Sequence, residues 1–391
     1  MLGLRATFKT PIRRSLFRHL AARSTATVTV PLEQGSEPSR RHKPGGYHPL
    51  RPGDVLNDRY EVVHQLGWGL YSTVWLVQDV KEKEMSALKV QISELTTYQG
   101  PQHEFSKLQI LRDTNPNSPG YRHICHLRDN FTIEGPHGAH VCLVLDPMRV
   151  SVFDIFRAFQ LTLPLDLLKR ISKHVLTALK YVHDECRIIH TDIKGDNIML
   201  VSMPPKSHKK TIEIGIDELM TPPFVLSDFG SAVRVEEKYS DLIQPTDLRA
   251  PEVVIKAVWD TKVDIWNLGC LIYEFAKGAK LFDPSWRVEG VEMTPPQIHL
   301  AQMVGVLGEF PRSLLERGER ARNYFNDEGG LLVGSGTYDN RLEKLVACSG
   351  HPLHEIPMLV DFLSKALTIE PRERWSAARL LDHPWLKDLS S

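Results

Sequence analysis

Apolar and polar residues alternate along the first folded third of this chain and then give way to a three-to-four-residue repeat, a change that predicts two differently built halves. Tyr60 to Gly67, Ser72 to Val80 and Ser86 to Ile92 are rich in β-branched and aromatic residues. A Gly-containing turn and the polar turn Lys81-Glu82-Lys83-Glu84 separate them, which predicts a three-stranded antiparallel start. A helix is expected around Gln102 to Arg112, then two strands near Ile124 to Ile133 and Ala139 to Leu145, joined by a turn with Gly135, Pro136 and Gly138. After Asp146 the period changes. Leu165, Leu168, Ile171, Val175, Leu179 and Val182 recur as one buried helical face requires. Ile265 to Ala276 is apolar on nearly every side and predicts a central buried helix, with further helices at His299 to Leu307, Leu359 to Leu367 and Ala377 to Leu381. The expected class is α+β, an antiparallel sheet with one main helix followed by a mainly helical half.

Three stretches fall outside this pattern. Pro31 through Pro52 is rich in Pro, Gly, Ser and charge, which predicts a linker ending near Asn57. Met203 to Pro223, with its Pro pairs and Lys-rich patch, is expected to be an inserted loop, and Phe310 to Gly350 is too polar and Gly-rich to assign. The resulting division is an extension over 1–57, a first lobe over 58–148 and a second over 149–391, with the insert at 203–223.

At 391 residues, 42% hydrophobic and 25% charged, the chain is long enough for two lobes that each bury a core. No apolar run approaches the about 20 residues a bilayer-spanning helix needs. Five cysteines, with no C-x-x-C spacing and mostly inside apolar segments, suit buried thiols in a reducing, intracellular compartment. The charge is balanced overall, yet the first fifty residues carry nine Lys/Arg against Glu33 and Glu37, leaving 39 basic and 46 acidic residues downstream. A basic arm therefore precedes an acidic body of net −7. In residues 1–32, Arg5, Lys9, Arg13, Arg14, Arg18 and Arg23 occur without an acid, while Leu4, Phe8, Ile12, Leu16 and Leu20 share one helical face. That is the character of a mitochondrial presequence; a disordered basic tail is the alternative.

The chemistry-bearing residues come in a fixed order. Phosphoryl transfer asks a protein for a cover over phosphates, a cation to hold them, oxygen ligands for Mg²⁺ and a base for the acceptor hydroxyl. Leu66 precedes Gly67-Trp68-Gly69-Leu70-Tyr71-Ser72-Thr73-Val74, a loop between two predicted strands in which glycines let backbone N–H groups approach phosphate. Such a loop also marks ordinary hairpins, and Ser72 replaces its third glycine. Lys89 lies in the apolar run Ala87-Leu88-Lys89-Val90, where an ammonium needs an anion. Glu104 on the next helix is the expected partner, and together they would clamp the α and β phosphates of ATP. In His190-Thr191-Asp192-Ile193-Lys194-Gly195-Asp196-Asn197, Asp192 is the candidate catalytic carboxylate, Lys194 would offset charge on the transferred phosphoryl group, and Asn197 would bind Mg²⁺. Asp228 of Asp228-Phe229-Gly230 is the other expected Mg²⁺ ligand. A lone D-F-G is unremarkable. Its place between that loop and Arg249-Ala250-Pro251-Glu252 is not.

From about Tyr60 to Leu386 these motifs resemble a eukaryotic protein kinase domain. The resemblance implies the bilobal kinase fold, ATP and Mg²⁺, an adenine hinge at Asp146-Pro147-Met148 after a gatekeeper-like Leu145, pairing of Glu252 with Arg374, and Asp264 bracing the catalytic loop. More narrowly, Leu66-Gly67-Trp68-Gly69, Tyr71-Ser72-Thr73-Val74-Trp75-Leu76, His140-Val141-Cys142-Leu143-Val144, His190-Thr191-Asp192-Ile193-Lys194 and Leu281-Phe282-Asp283-Pro284 resemble the serine/arginine-rich protein kinases, particularly shorter fungal relatives. That family's substrates imply a Ser/Thr kinase acting on Arg/Ser-rich proteins such as splicing factors, in the cytoplasm or nucleus. A monomer without direct nucleic-acid binding or a membrane span is expected. The chain departs from the family in its short 203–223 insert, in Phe229 where close relatives carry Leu, and in a docking groove that is not legible. Asp283, Glu289, Glu292, Asp327 and Glu328 are candidate acids for such a groove.

Most kinases have Arg at the position of Thr191, and that Arg needs an activating phosphate to offset its charge. Thr191 has none to offset, so activity is expected without phosphorylation of Tyr239, Ser240 or Thr246. The run His123-Ile124-Cys125-His126 with His137, His140 and Cys142 lacks zinc spacing, because alternate strand residues face opposite ways. Two other functions compete with an active kinase: a pseudokinase scaffold that binds nucleotide without transfer, and a small-molecule phosphotransferase.

Overall fold

In the computed structural model, which describes residues 27–31, 37–96, 104–148, 150–201, 211–237, 242–287, 292–334, 341–347 and 351–387, the alternating region forms one six-stranded antiparallel sheet. Its order is Val55–Leu56, Tyr60–Trp68, Ser72–Asp79, Met85–Gln91, Gly138–Leu145, Leu127–Gly135. Period-two alternation sorts the sheet's two faces. Leu88, Val90, Cys142 and Val144 join Tyr60, Val62, Trp75 and Val77 in a small separate cluster. Ala87, Leu143 and Leu145 point the other way into the main core, with Leu108 and Leu111 of the helix Glu104–Asp113. Lys89, two residues from Ala87, therefore faces the helix and the cleft.

The second half is helical as its period predicts. Leu165–Lys180 packs on the nearly all-round buried helix Lys262–Lys277, which also meets Ile356–Ala366. Gly278 at φ +78 ends the central helix, its N–H donating back to the Glu274 carbonyl at 2.7 Å. Glu252 and Arg374 form a bidentate pair at 2.7 and 2.9 Å, both side chains fully buried. Arg374 also donates to the carbonyls of Thr368 and Lys262 and lies 4.9 Å from the Trp266 ring centroid. A buried ion pair is costly unless its remaining donors are satisfied in this way.

Three expectations change. The stretch predicted as a linker up to Asn57 is folded: Tyr47 and Leu50 are buried, and Thr27–Pro31 is a strand antiparallel to Thr211–Gly215. Thr211–Gly215 belongs to the predicted inserted loop, which thus contains a strand and a helical turn, Ile216–Leu219. Ile212 and Ile214 alternate with Thr211 and Glu213 and are buried; the Pro pairs on either side masked this short period. Within the polar stretch 310–350 the structure has short helices at Arg312–Leu315 and Leu342–Ala347, too short for a period to register. Of the presequence-like residues 1–32 only Thr27–Pro31 are among the described residues, as the strand above; Cys348, Glu289, Tyr239 and Ser240 lie outside them. Cys125, Cys142, Cys186 and Cys270 are buried free thiols, and no helix among the described residues is long and apolar enough to cross a membrane.

Candidate active site

The sheet and the helical half meet along a cleft into which three separated motifs deliver their side chains. Lys89 Nζ donates to Glu104 Oε1 at 2.7 Å and to Asp228 Oδ1 at 2.9 Å, joining strand, helix and the Asp228-Phe229-Gly230 turn. Burial alone would lower the Lys89 pKa, but Glu104 and Asp228 outweigh it and hold it above its usual value. The Asp228 carboxyl is held down at about 2, chiefly by the Lys89 charge. Gln91, on the same strand face as Lys89, donates from Nε2 to Glu104 Oε2 at 3.1 Å. Both Glu104 oxygens are thereby fixed.

Asp192 stands at the mouth of a buried network. Lys194 Nζ and Asn197 Nδ2 donate to its Oδ2 at 2.8 and 3.0 Å, and Asn197 Nδ2 also reaches its carbonyl at 2.8 Å. Among the described residues, no hydrogen bond is made to Oδ1 of Asp192 or to Oδ1 of Asn197. Behind them, fully buried Asp264 accepts from His190 N, Thr191 N and His183 Nε2, each at 2.8 Å. His190 Nδ1 accepts from Asp192 N at 3.2 Å and Nε2 donates to the Ser227 carbonyl at 3.0 Å, so the ring proton sits on Nε2. The ring meets Phe229 edge-on at 4.9 Å, tying the catalytic loop to the Asp228 turn. Thr191 and Asp228 both have left-handed backbones, φ +66 and +60. For β-branched Thr191 this costs about 1–3 kcal/mol, offset by its N–H bond to Asp264 and its hydroxyl bond to the Ser231 carbonyl at 2.8 Å.

The glycine-rich turn lies over the cleft as a hairpin, with Gly67 opposite Val74 and Val74 opposite Lys89. Trp68, Leu70 and Tyr71 at its tip are exposed, whereas Ser72 is buried and Leu66 packs on the main core. Thr73 turns inward: it is fully buried and its Oγ1 accepts from Trp75 Nε1 at 3.0 Å. Ala87 pairs in register with Leu145, which brings it beside Asp146 and Met148. The Asp146 carboxylate is taken by His126 Nδ1 at 2.7 Å and Arg128 Nε at 2.8 Å, so the side chain is fixed and only backbone is left for a ligand. Of the candidate groove acids, Asp283 Oδ1 accepts from Ser285 N at 3.0 Å, while Glu292, Asp327 and Glu328 are not buried.

Sequence patterning missed Arg41, Tyr47, Gln91 and Gln244. Gln91 was legible, since it follows Lys89 by one strand period. Gln244, left-handed at φ +69, donates from Nε2 to the Val263 carbonyl and accepts from Ala250 N, both at 2.9 Å. Arg249 adds bonds to the carbonyls of Ile243 and Gln244, each at 3.1 Å, so this segment is held by its own amides.

Comparison with known proteins bears on the whole constellation. The family model described as the protein kinase domain matches residues 60–386. A serine/threonine-protein kinase SRPK of Physarum polycephalum is 30% identical, over 92% of this chain and 93% of that protein. A serine/threonine protein kinase of Aspergillus fumigatus is 32% identical over 88% of each, and SRSF protein kinase 3 of Homo sapiens is 25% identical over 90% of this chain and 91% of its own length. The human alignment runs over 521 positions against 391 residues here, so that relative carries sequence this chain lacks. With a family match over most of its length and these relatives along nearly all of it, the chain belongs to the protein kinase family, as a serine/threonine kinase akin to the SRPK enzymes.

Proposed function

We propose that this kinase transfers the γ-phosphoryl group of ATP to serines in Arg/Ser-rich protein segments, using Asp192 as the residue that orients the acceptor hydroxyl and takes its proton at Oδ1. Lys194, already bonded to Asp192 Oδ2, offsets charge building on the transferred group. Lys89, fixed by Glu104, holds the α and β phosphates; Gly67 to Val74 covers them; Ala87 and the backbone of Asp146 to Met148 receive adenine. The Asp228 carboxylate and Asn197 Oδ1 are hard oxygen ligands suited to Mg²⁺. Held by these two residues, Mg²⁺ would supply positive charge that offsets the charge of the phosphates. The cradle fits: a Cβ added at Gly67 or Gly69 meets no protein atom within 4 Å, so the loop presents bare backbone to a ligand.

One observation carries the substrate class. Around the catalytic loop, Asp196 and Glu274 stand among other carboxylates and are held above the usual carboxylate range, first by burial. Asp196 is raised by burial and then by Asp154 and Asp192, with Lys194 the opposing charge. Glu274 is raised by burial and then by Asp247 and Asp196. Such a like-charge cluster beside the reacting carboxylate is relieved by guanidinium groups flanking the acceptor serine, and the net −7 body downstream of residue 50 favours the approach of a basic chain. The same reading makes the protein intracellular, in cytoplasm or nucleus.

The test is Mg·ATP phosphorylation of an Arg-Ser repeat peptide beside a Lys-Ser repeat and an acidic peptide. The Arg-Ser peptide is expected to have the highest kcat/KM and the acidic one the lowest. Equal use of all three removes the substrate class and leaves the kinase intact.

A further inference from the structure

The segment preceding the sheet is built onto the glycine-rich turn. Tyr47 OH donates to the Gly69 carbonyl and Arg41 Nη2 to the Leu70 carbonyl, two consecutive acceptors at the tip of the turn. The two donors are locked to each other. Tyr47 N donates to the Arg41 carbonyl at 2.9 Å, and the Arg41 guanidinium lies 5.0 Å from the centroid of the Tyr47 ring, which is itself buried. Between them the chain makes a turn that only glycine allows: Gly45 has φ +81, and a Cβ on Gly46 would stand 2.1 Å from the Arg41 carbonyl oxygen. The turn is anchored on the sheet, with Gly45 N donating to the His137 carbonyl and the Gly45 and Gly46 carbonyls accepting from Glu94 N and Ser93 N at 2.9 to 3.2 Å. Glu37 ties it sideways, taking Gln65 Nε2 and His42 Nε2 at 2.7 Å each. A rigid bracket thus ends in two donors aimed at the tip of the turn, which also has Gly69 N to Ser72 O at 2.9 Å across it and Ile92 N to Tyr71 O at 3.0 Å beside it.

We propose that Arg41 and Tyr47 are positioning residues for Mg·ATP, fixing the height of the Gly67 to Ser72 turn above the phosphates; this rests on the turn being the phosphate cover. Neither touches nucleotide. Each acts by occupying a tip carbonyl, which orients the adjoining peptide N–H groups toward the cleft and lowers the ordering entropy left for the nucleotide to overcome. The consequence is a change in nucleotide affinity without a change in the chemical step.

The experiment compares the full chain with Tyr47→Phe, Arg41→Ala and a control, Tyr60→Phe. Tyr60 donates to Asp129 Oδ2 at 2.6 Å on the same sheet, so the control loses a similar bond far from the turn. Steady-state kinetics at saturating peptide, Tm, and titration of Mg·AMP-PNP by calorimetry are read for each. Tyr47→Phe and Arg41→Ala are expected to raise the ATP KM and the Mg·AMP-PNP Kd about 3- to 10-fold each, the scale of one hydrogen bond. Their kcat stays within about twofold, and the peptide KM is unchanged. Tyr60→Phe lowers Tm with nucleotide constants unmoved. Nucleotide constants at wild-type values in both bracket variants overturn the proposal, whatever their Tm. A wild-type chain that binds no Mg·AMP-PNP overturns the phosphate-cover reading itself, an outcome read separately from the variants.

Discussion

The catalytic loop and the glycine-rich turn face each other across one cleft and are held by opposite means. Asp192 is backed by side chains with almost no exposed surface: Asp264, His183, His190 and Thr191 form a closed set of bonds in which one carboxylate takes three donors. The turn has a half-exposed tip, with Trp68, Leu70 and Tyr71 at 45%, 59% and 57%, held by two side chains from a preceding segment. On the proposed function, Asp192 needs fixed geometry at the moment of transfer, whereas the glycine-rich turn must admit one nucleotide and release another. Preorganisation is thus concentrated at the buried carboxylate, and adjustable contacts are left to the surface.

Substitutions can break that contrast in graded steps. Asp192→Ala removes the reacting carboxylate and leaves the Asp264 network whole, so kcat should fall about 10²–10⁴-fold while nucleotide affinity and Tm stay close to wild type. Wild-type phosphate incorporation by this variant would overturn the assignment of Asp192 as the residue that takes the proton. Arg374→Ala acts on the frame instead. It strands the fully buried Glu252 carboxylate, and denaturant unfolding should lose about 3–5 kcal/mol; a loss under about 1 kcal/mol would mean that water reaches the site and the pair carries little. The smallest expected effect is the most specific. Gln244 and Arg249 hold the segment before Ala250-Pro251-Glu252 through backbone carbonyls and amides, and Thr191 leaves no cation waiting for a phosphate. Phosphatase-treated enzyme should therefore retain kcat within about twofold, and loss of most activity would transfer control to a phosphorylated residue.

The sequence made the main strands and helices legible because each carries its own period over several turns: Lys89 two residues from Ala87, Leu165 to Val182 at helical spacing. The paired residues Lys89 with Glu104, and Glu252 with Arg374, were expected as pairs and meet as such. What escaped has no local period. Tyr47 is a single buried aromatic in a run of Gly, Pro and charge, and its partner is a carbonyl 22 residues away. The strand Thr211–Gly215 is only five residues long, and the strand completing it lies about 180 positions earlier. Long-range pairing of two short segments leaves no mark within either.

That pairing also bears on how the chain can be processed. The ribbon of Thr27–Pro31 and Thr211–Gly215 seats a fully buried Val30 against the helix Val152–Ala158, so the first strand is a working part of the larger lobe. A cut just before Thr27 removes Arg5, Lys9, Arg13, Arg14, Arg18 and Arg23 and keeps both strands of this ribbon. A cut after Pro31 takes away one of its two strands, opens the slot that Val30 fills, and bares an edge flanked by Ile212 and Ile214 to any other extended chain. Strand pairing thus makes Thr27 the last position before which the chain can be cut with both strands of the ribbon kept whole.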